Sequence, residues 1–280
     1  MRTLKTLTDG LLFPEGPRWH EGKLFFSDMH DRKVKTVDLS GRTGVVCEVP
    51  NRPSGLGWLP DGRMLVVSMT DRKLLRLENG SLKEHADLSR LAPCDCNDMV
   101  VDAKGRAYVG NFGFDLHKRE KPRSTNLLMA APDGQVRVVA ENLMFPNGTV
   151  ITPDGKTLII GESSAARLSA FDIAPDGSLS NQREWAKTAP FVPDGICLDA
   201  EGAIWVAGAT GSTVIRVKEG GEITEQIKVA TDTFACMLGG PNRKTLFVLT
   251  AESSDPEQCR NKPTGRIEIT EVEVPGAGLP

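Results

Sequence analysis

PDGKTLIIGE (153–162) joins a tight turn to an apolar strand within one short stretch. Asp-Gly supplies the positive φ that a hairpin turn needs, and Leu158, Ile159 and Ile160 suit a strand. The same unit recurs as EGKLFFSD (21–28), PDGRMLVVS (60–68), AKGRAYVGN (103–111), AEGAIWVAG (200–208) and PNRKTLFVLT (241–250). Each copy follows another short apolar strand, as in GLGW (55–58) or TVIT (149–152). Each also precedes a second run, as in KLLRLENG (73–80) or TVIRVKEGG (213–221), and most lead to a third, such as QVRVVAE (135–141). Four strands joined by turns make one antiparallel sheet. Taking Gly22, Gly62, Gly105, Gly155 and Gly202 as markers, the copies are 40, 43, 50 and 47 residues apart. That is the length of a propeller blade.

The expected fold is therefore all-β: a six-bladed β-propeller of four-stranded antiparallel blades, forming a single domain over residues 1–280. The sixth copy ends at GRIEITEVEV (265–274) without an outer strand, and RTLKTLTDG (2–10) looks like the missing piece. Closing the ring by pairing N- and C-terminal strands removes an open sheet edge. A β-sandwich is the competing arrangement, and six in-phase copies speak against it.

Composition narrows the function classes. Hydrophobic residues make up 39% and charged residues 25% of the chain, as in an ordinary globular protein. The formal net charge of −3 and the isolated basic pairs disfavour nucleic acid or an anionic membrane as partner. No apolar run is long enough for a signal peptide or a membrane span, so the expected compartment is the cytoplasm. Cys47, Cys94, Cys96, Cys197, Cys236 and Cys259 are expected as free thiols. Cys94 and Cys96 lack the spacing of a zinc knuckle.

Aligned on the repeat, one position precedes each innermost strand. It is Glu15, Ser54, Asn97, Asn147, Asp194 and Cys236 in turn, usually followed by glycine. Equivalent positions of radial blades lie on a ring about the axis, so Glu15, Asn97, Asn147 and Asp194 should converge at the channel. Two carboxylates and two carboxamides in a narrow space call for a hard divalent cation. Taken singly, Pro-Asn-Gly and Pro-Asp-Gly equally describe ordinary turns. The ring as a set favours a site.

At these residues the sequence resembles the senescence marker protein 30 / gluconolactonase / luciferin-regenerating-enzyme family. EGPRW (15–19), FPNGTVITPDGKTLIIGES (145–163) and VPDGICLDAEGAIWVA (192–207) are similar to its ligand motifs, in order and spacing. The resemblance spans essentially the whole chain. It implies a six-bladed propeller with one divalent cation (Ca²⁺, Mg²⁺, Mn²⁺ or Zn²⁺) on Glu15, Asn147 and Asp194. It places Asn97 beside the metal, touching water or substrate, and makes Asp194 the general base or acid of lactone hydrolysis. Sugar-lactonase members carry Arg two residues before this Asn; here Asp95 stands there. A cation suited to sugar hydroxyls has become an anion, which counts against an aldonolactone substrate.

The expected activity is thus metal-dependent hydrolysis of a small lactone. Another ester or a phosphotriester on the same site, or a non-catalytic propeller binding a protein partner, are the alternatives. Whether Asp194 works mainly as ligand or as base stays open at this stage. No G-x-S-x-G elbow surrounds Ser163 and Ser164. His20, His30, His85 and His117 show no metal-ligand spacing and are expected at the surface. GNFGFDLHKREKPRSTN (110–126) is the longest insertion, either a wall over the channel or a solvated loop. Phe114 and Trp19 are the expected apolar contacts for a substrate less hydroxylated than a sugar.

Overall fold

The computed structural model describes residues 2–116 and 118–279; His117 lies outside them. The repeat becomes six four-stranded antiparallel sheets. Five are built from consecutive strands. Blade one holds β2 (Pro14–His20), β3 (Lys23–Asp28), β4 (Lys33–Val37) and β5 (Thr43–Glu48). Blade two holds β6 (Pro53–Trp58), β7 (Met64–Ser68), β8 (Lys73–Glu78) and β9 (Ser81–Asp87). Blade three holds β10 (Cys96–Val101), β11 (Ala107–Asn111), β12 (Thr125–Ala130) and β13 (Val136–Leu143). Blade four holds β14 (Pro146–Ile151), β15 (Thr157–Glu162), β16 (Arg167–Ile173) and β17 (Leu179–Lys187). Blade five holds β18 (Pro193–Leu198), β19 (Ile204–Gly208), β20 (Thr213–Val217) and β21 (Ile223–Lys228). Blade six joins β22 (Asp232–Gly239), β23 (Thr245–Ala251) and β24 (Gly265–Glu271) to the N-terminal β1 (Lys5–Leu11) as outer strand. The expected closure is present, with Lys5 opposite Ile269.

The inner strands β2, β6, β10, β14, β18 and β22 contact one another in that order, and β22 returns to β2. Sheets pack face to face. Leu65, Val67, Met99 and Val109 fill the space between blades two and three, and Ile159, Leu168, Val206 and Ile215 that between four and five. The inner strands β6, β10, β14 and β18 are buried along nearly their whole length, which is why they read as apolar runs without alternation.

A C-terminal strap crosses the channel end opposite Glu15. Gly276 N–H donates to the Arg243 carbonyl, Ala277 N–H to Leu198, and Leu279 exchanges two backbone hydrogen bonds with Ile151. The strap therefore ties blades six, five and four together. Deleting residues 275–280 is expected to cost about 2 kcal/mol through these lost bonds and to lower Tm by about 5 °C. Thermal unfolding followed by circular dichroism checks this.

Candidate metal and active site at the channel mouth

Each inner strand enters the channel at its first residues, and there the pairing slips. Register shifts fall between Glu15 and Arg18, Pro53 and Leu56, Cys96 and Met99, Pro146 and Thr149, Pro193 and Ile196, and Thr233 and Ala235. A bulge bends its strand and re-aims a side chain. In blades one to five the bulge takes in the ring residue itself, whereas in blade six it takes in Phe234, so Phe234 holds the ring position expected of Cys236, which lies deeper, in the core beside Cys197.

Most of the glycines that follow the ring residues answer to this crowding. A Cβ on Gly16 would meet the Ser54 carbonyl oxygen at 2.8 Å, and one on Gly195 would meet Ala235 at 2.7 Å. Neighbouring inner strands approach so closely there that only glycine fits.

Glu15 and Asp194 are electrostatic neighbours despite lying at opposite ends of the sequence. Removal from water pushes the Glu15 carboxyl well above the ordinary carboxylate range, and the charges of Asp194 and Asp98 add to that. Burial pushes Asp194 up to about 8, against a hydrogen bond from the Asn147 side chain, with the Asp98 charge adding to the rise. Asn147 Nδ2 donates to Ser163 Oγ at 3.2 Å, and Ser163 Oγ donates to the Pro193 carbonyl at 2.6 Å. Ser163 thus links Asn147 to the backbone just ahead of Asp194. Asn97 accepts from Ser54 Oγ at 3.4 Å through Oδ1, and its buried Nδ2 has no partner.

This donor set fits a divalent cation. Burial disfavours the charged forms of both carboxyl groups, which a cation would offset, and carboxylate and carboxamide oxygens are the hard donors such an ion prefers. Among the described residues no cluster of three or more His, Cys, Asp or Glu is suited to a metal. The group here is two carboxylates completed by carboxamides. The proton on Asp194 has a measurable consequence. An unfolded Asp ionises near 3.8, whereas the folded chain keeps its proton to about 8. Between those limits the unfolded state binds fewer protons, so metal-free protein should lose stability as pH rises. A bound cation should reverse that slope. Tm measured from pH 4 to pH 8, with chelator and with cation, checks the sign.

Carboxylates clamp the loops that carry two ring residues. Asp28, fully buried at the end of β3, accepts from Leu12 and Phe13 N–H groups ahead of Glu15. Glu162, at the equivalent end of β15, accepts from Met144 N–H ahead of Asn147. Beneath the mouth, Arg18 reaches from blade one to Asp98 of blade three at 2.7 Å. Sequence reading missed these four. A charge inside an otherwise apolar inner strand was the signal available for Arg18 and Asp98.

Some other expectations are corrected. Trp19 lies at the opposite end of β2 from Glu15, stacked on Phe247 at 5.5 Å in the core between blades one and six. It is a packing residue there, away from the mouth. His30 and His85 are buried, not at the surface. His30 stacks on Phe13 at 5.0 Å, and burial lowers its pKa to about 4, so it is neutral. Phe114 is buried, with its ring 5.6 Å from that of Phe145 just ahead of Asn147. Asp95, half-buried, accepts Phe112 N–H at its carbonyl. All six cysteines are free. No helix among the described residues is long and apolar enough to cross a membrane.

Comparison with known proteins agrees with this architecture. The chain is 30% identical to regucalcin from Oryctolagus cuniculus over 281 residues, covering 94% of this chain and 92% of that one. It is 26% identical to a pentonolactonase from Haloferax volcanii over 245 residues, covering 85% and 81%. Its fold superposes on the calcium-binding protein regucalcin from Agrobacterium tumefaciens with a TM-score of 0.83, at 24% identity, covering 100% and 97% of the chains. Residues 13–252 match the SMP-30/Gluconolactonase/LRE-like region, a span that contains Glu15, Asn97, Asn147 and Asp194, and the chain belongs to that family.

Proposed function

We propose that this protein is a divalent-cation-dependent hydrolase that opens small lactones in the cytoplasm. The carrying observation is the pair of carboxyl groups at the channel mouth, half-buried Glu15 and buried Asp194, which are electrostatic neighbours, with Asn147 hydrogen-bonded to Asp194. The lactone hydrolysis named for the Haloferax relative and the calcium binding named for the Agrobacterium relative support the reading. Glu15, Asn147 and Asp194 would hold the cation. When bound, it would supply Lewis-acid polarisation of a carbonyl and acidify a water.

The chain's own residues do the rest. Asp194 takes the proton of the attacking water and returns one to the departing ring alkoxide. Asn97 aims its unpartnered Nδ2–H at oxygen that gains negative charge in the transition state, where a fixed donor is worth most. Ser163 and Glu162 keep the Asn147 loop in register.

The test is acid release from a lactone panel, read with a pH indicator after chelation and re-addition of Ca²⁺, Mg²⁺, Mn²⁺ or Zn²⁺. Release should vanish with chelator and return with one of these ions. Release that chelation leaves unchanged would overturn the cation requirement, and no release from any lactone would overturn the hydrolase. Asp95→Arg restores the charge found in sugar-lactonase relatives. It should raise kcat/KM for an aldonolactone by about tenfold, the worth of a hydrogen bond to a charged group. An unchanged profile would show that position 95 does not select substrate.

A further inference from the structure

Two residues ahead of the ring positions of blades one to five the chain places Phe13, Arg52, Asp95, Phe145 and Val192, and blade six puts Phe234 at the ring position itself. Because every inner strand runs inward from the mouth, the first five form a second tier on the outer side of the ring, and Phe234 packs up against it. The tier is divided. Its two charged members come from adjacent blades two and three, and its three apolar members, with Phe234 from the ring below, come from blades four, five, six and one, which are contiguous around the ring.

The apolar members are reinforced. Phe13 meets Phe234 edge to face at 4.7 Å. Phe145 takes Phe112 at 4.7 Å and Phe114 at 5.6 Å, both from the long insertion after β11. Met29 and Met69 join Phe13, Phe112 and Phe234 in one cluster, against which Phe145 packs. The equivalent loop of blade five, residues 209–212, is only Ala-Thr-Gly-Ser and adds nothing to that cluster. The wall is therefore an apolar arc that is thinnest at blade five, which supplies Asp194 and adds only Val192 to it.

We infer that the site takes a lactone bearing an apolar substituent, which lies along the aromatic arc while the ester edge faces blades two and three. This rests on the hydrolase reading above and goes beyond it by naming the substrate class. Hydroxyls on a sugar lactone would face Phe13, Phe145, Val192 and Phe234 without hydrogen-bond partners, and each such loss weakens binding by about tenfold. An alkyl or aryl substituent there removes apolar surface from water at no such cost.

The experiment measures kcat/KM, in the presence of the activating cation, for δ-lactones with alkyl chains of increasing length and for a polyhydroxylated aldonolactone. Each added methylene should raise kcat/KM about fourfold until the arc is filled. Phe145→Asn should reduce the preference for the alkyl over the hydroxylated lactone by about tenfold. Asn is suited to the left-handed φ of 59° at this position, and circular dichroism verifies the variant's fold. A second readout, free of turnover, is calorimetric binding of alkyl-substituted δ-lactams to the cation-loaded protein. Hydrolysis with the hydroxylated lactone preferred would overturn this substrate class while leaving the hydrolase intact. If no lactone is hydrolysed, lactam affinity that rises with chain length still supports the apolar site, and lactams that do not bind overturn it.

Discussion

Replacing Asp194 with Asn lowers kcat/KM for lactone hydrolysis by about 10³-fold or more, from loss of proton transfer together with weakened cation binding. The substitution keeps shape and one oxygen donor, so the bulge at Pro193–Ile196 and the contact to Asn147 survive. What goes is the negative charge. The two contributions separate by titrating cation. If Asp194 only held the ion, saturating cation would restore kcat. Our reading has kcat still depressed at saturation, because no other group at the mouth takes the water's proton. His30 is the nearest rival by chemistry, but it is stacked on Phe13 and its Nε2 lies 3.0 Å from the Ser254 carbonyl. The same variant should ease Glu15, since the Asp194 charge is one cause of its raised pKa. Metal-free Asp194→Asn protein should therefore lose less stability between pH 4 and pH 8 than the parent. Full recovery of kcat at high cation would remove Asp194 from proton transfer and leave it a ligand.

The ring was legible because a repeat converts sequence spacing into angular position. Glu15, Asn97, Asn147 and Asp194 are found by alignment alone, with no knowledge of contacts. The same alignment does not say which end of a strand faces the chemistry, and that is how Trp19 was misplaced. Four residues past Glu15, it has crossed to the far end of β2, where Leu24 opposes it across the hairpin. Nor does alignment show the recurrent bulge, which depends on how a strand pairs with its neighbour. Asp28 and Glu162 escaped notice for another reason. Each ends a second strand with a carboxylate that serves backbone N–H groups of the preceding loop, and loop backbone leaves no trace in composition. The aromatic tier was readable in part, since Phe13 and Phe145 stand two residues before ring positions, whereas Phe234 takes the ring position of blade six, where the alignment put Cys236. Only the assembled arc gives that coincidence a physical meaning.

The buried pair of Arg18 and Asp98 carries the second large effect. Arg18 is 4% exposed, and its donors reach three blades. Nε serves the Leu56 carbonyl, Nη1 the Pro17 carbonyl, and Nη2 both Asp98 and the Met99 carbonyl. Asp98 is a negative neighbour of both Glu15 and Asp194. With Arg18 in place, the four charges sum to −2 when all are ionised, the complement of a divalent cation. Arg18→Met keeps much of the volume and strands Asp98, which should cost about 3–5 kcal/mol and lower Tm by about 10 °C. Adding Asp98→Asn removes the stranded charge, so the double variant should recover a good part of that loss. Cation adds a second, independent reading. The single variant faces it with one more negative charge, so the rise in Tm on adding Ca²⁺ should be larger than in the parent. A single variant as stable as the parent, with an unchanged response to cation, would show that Asp98 is balanced by something other than Arg18.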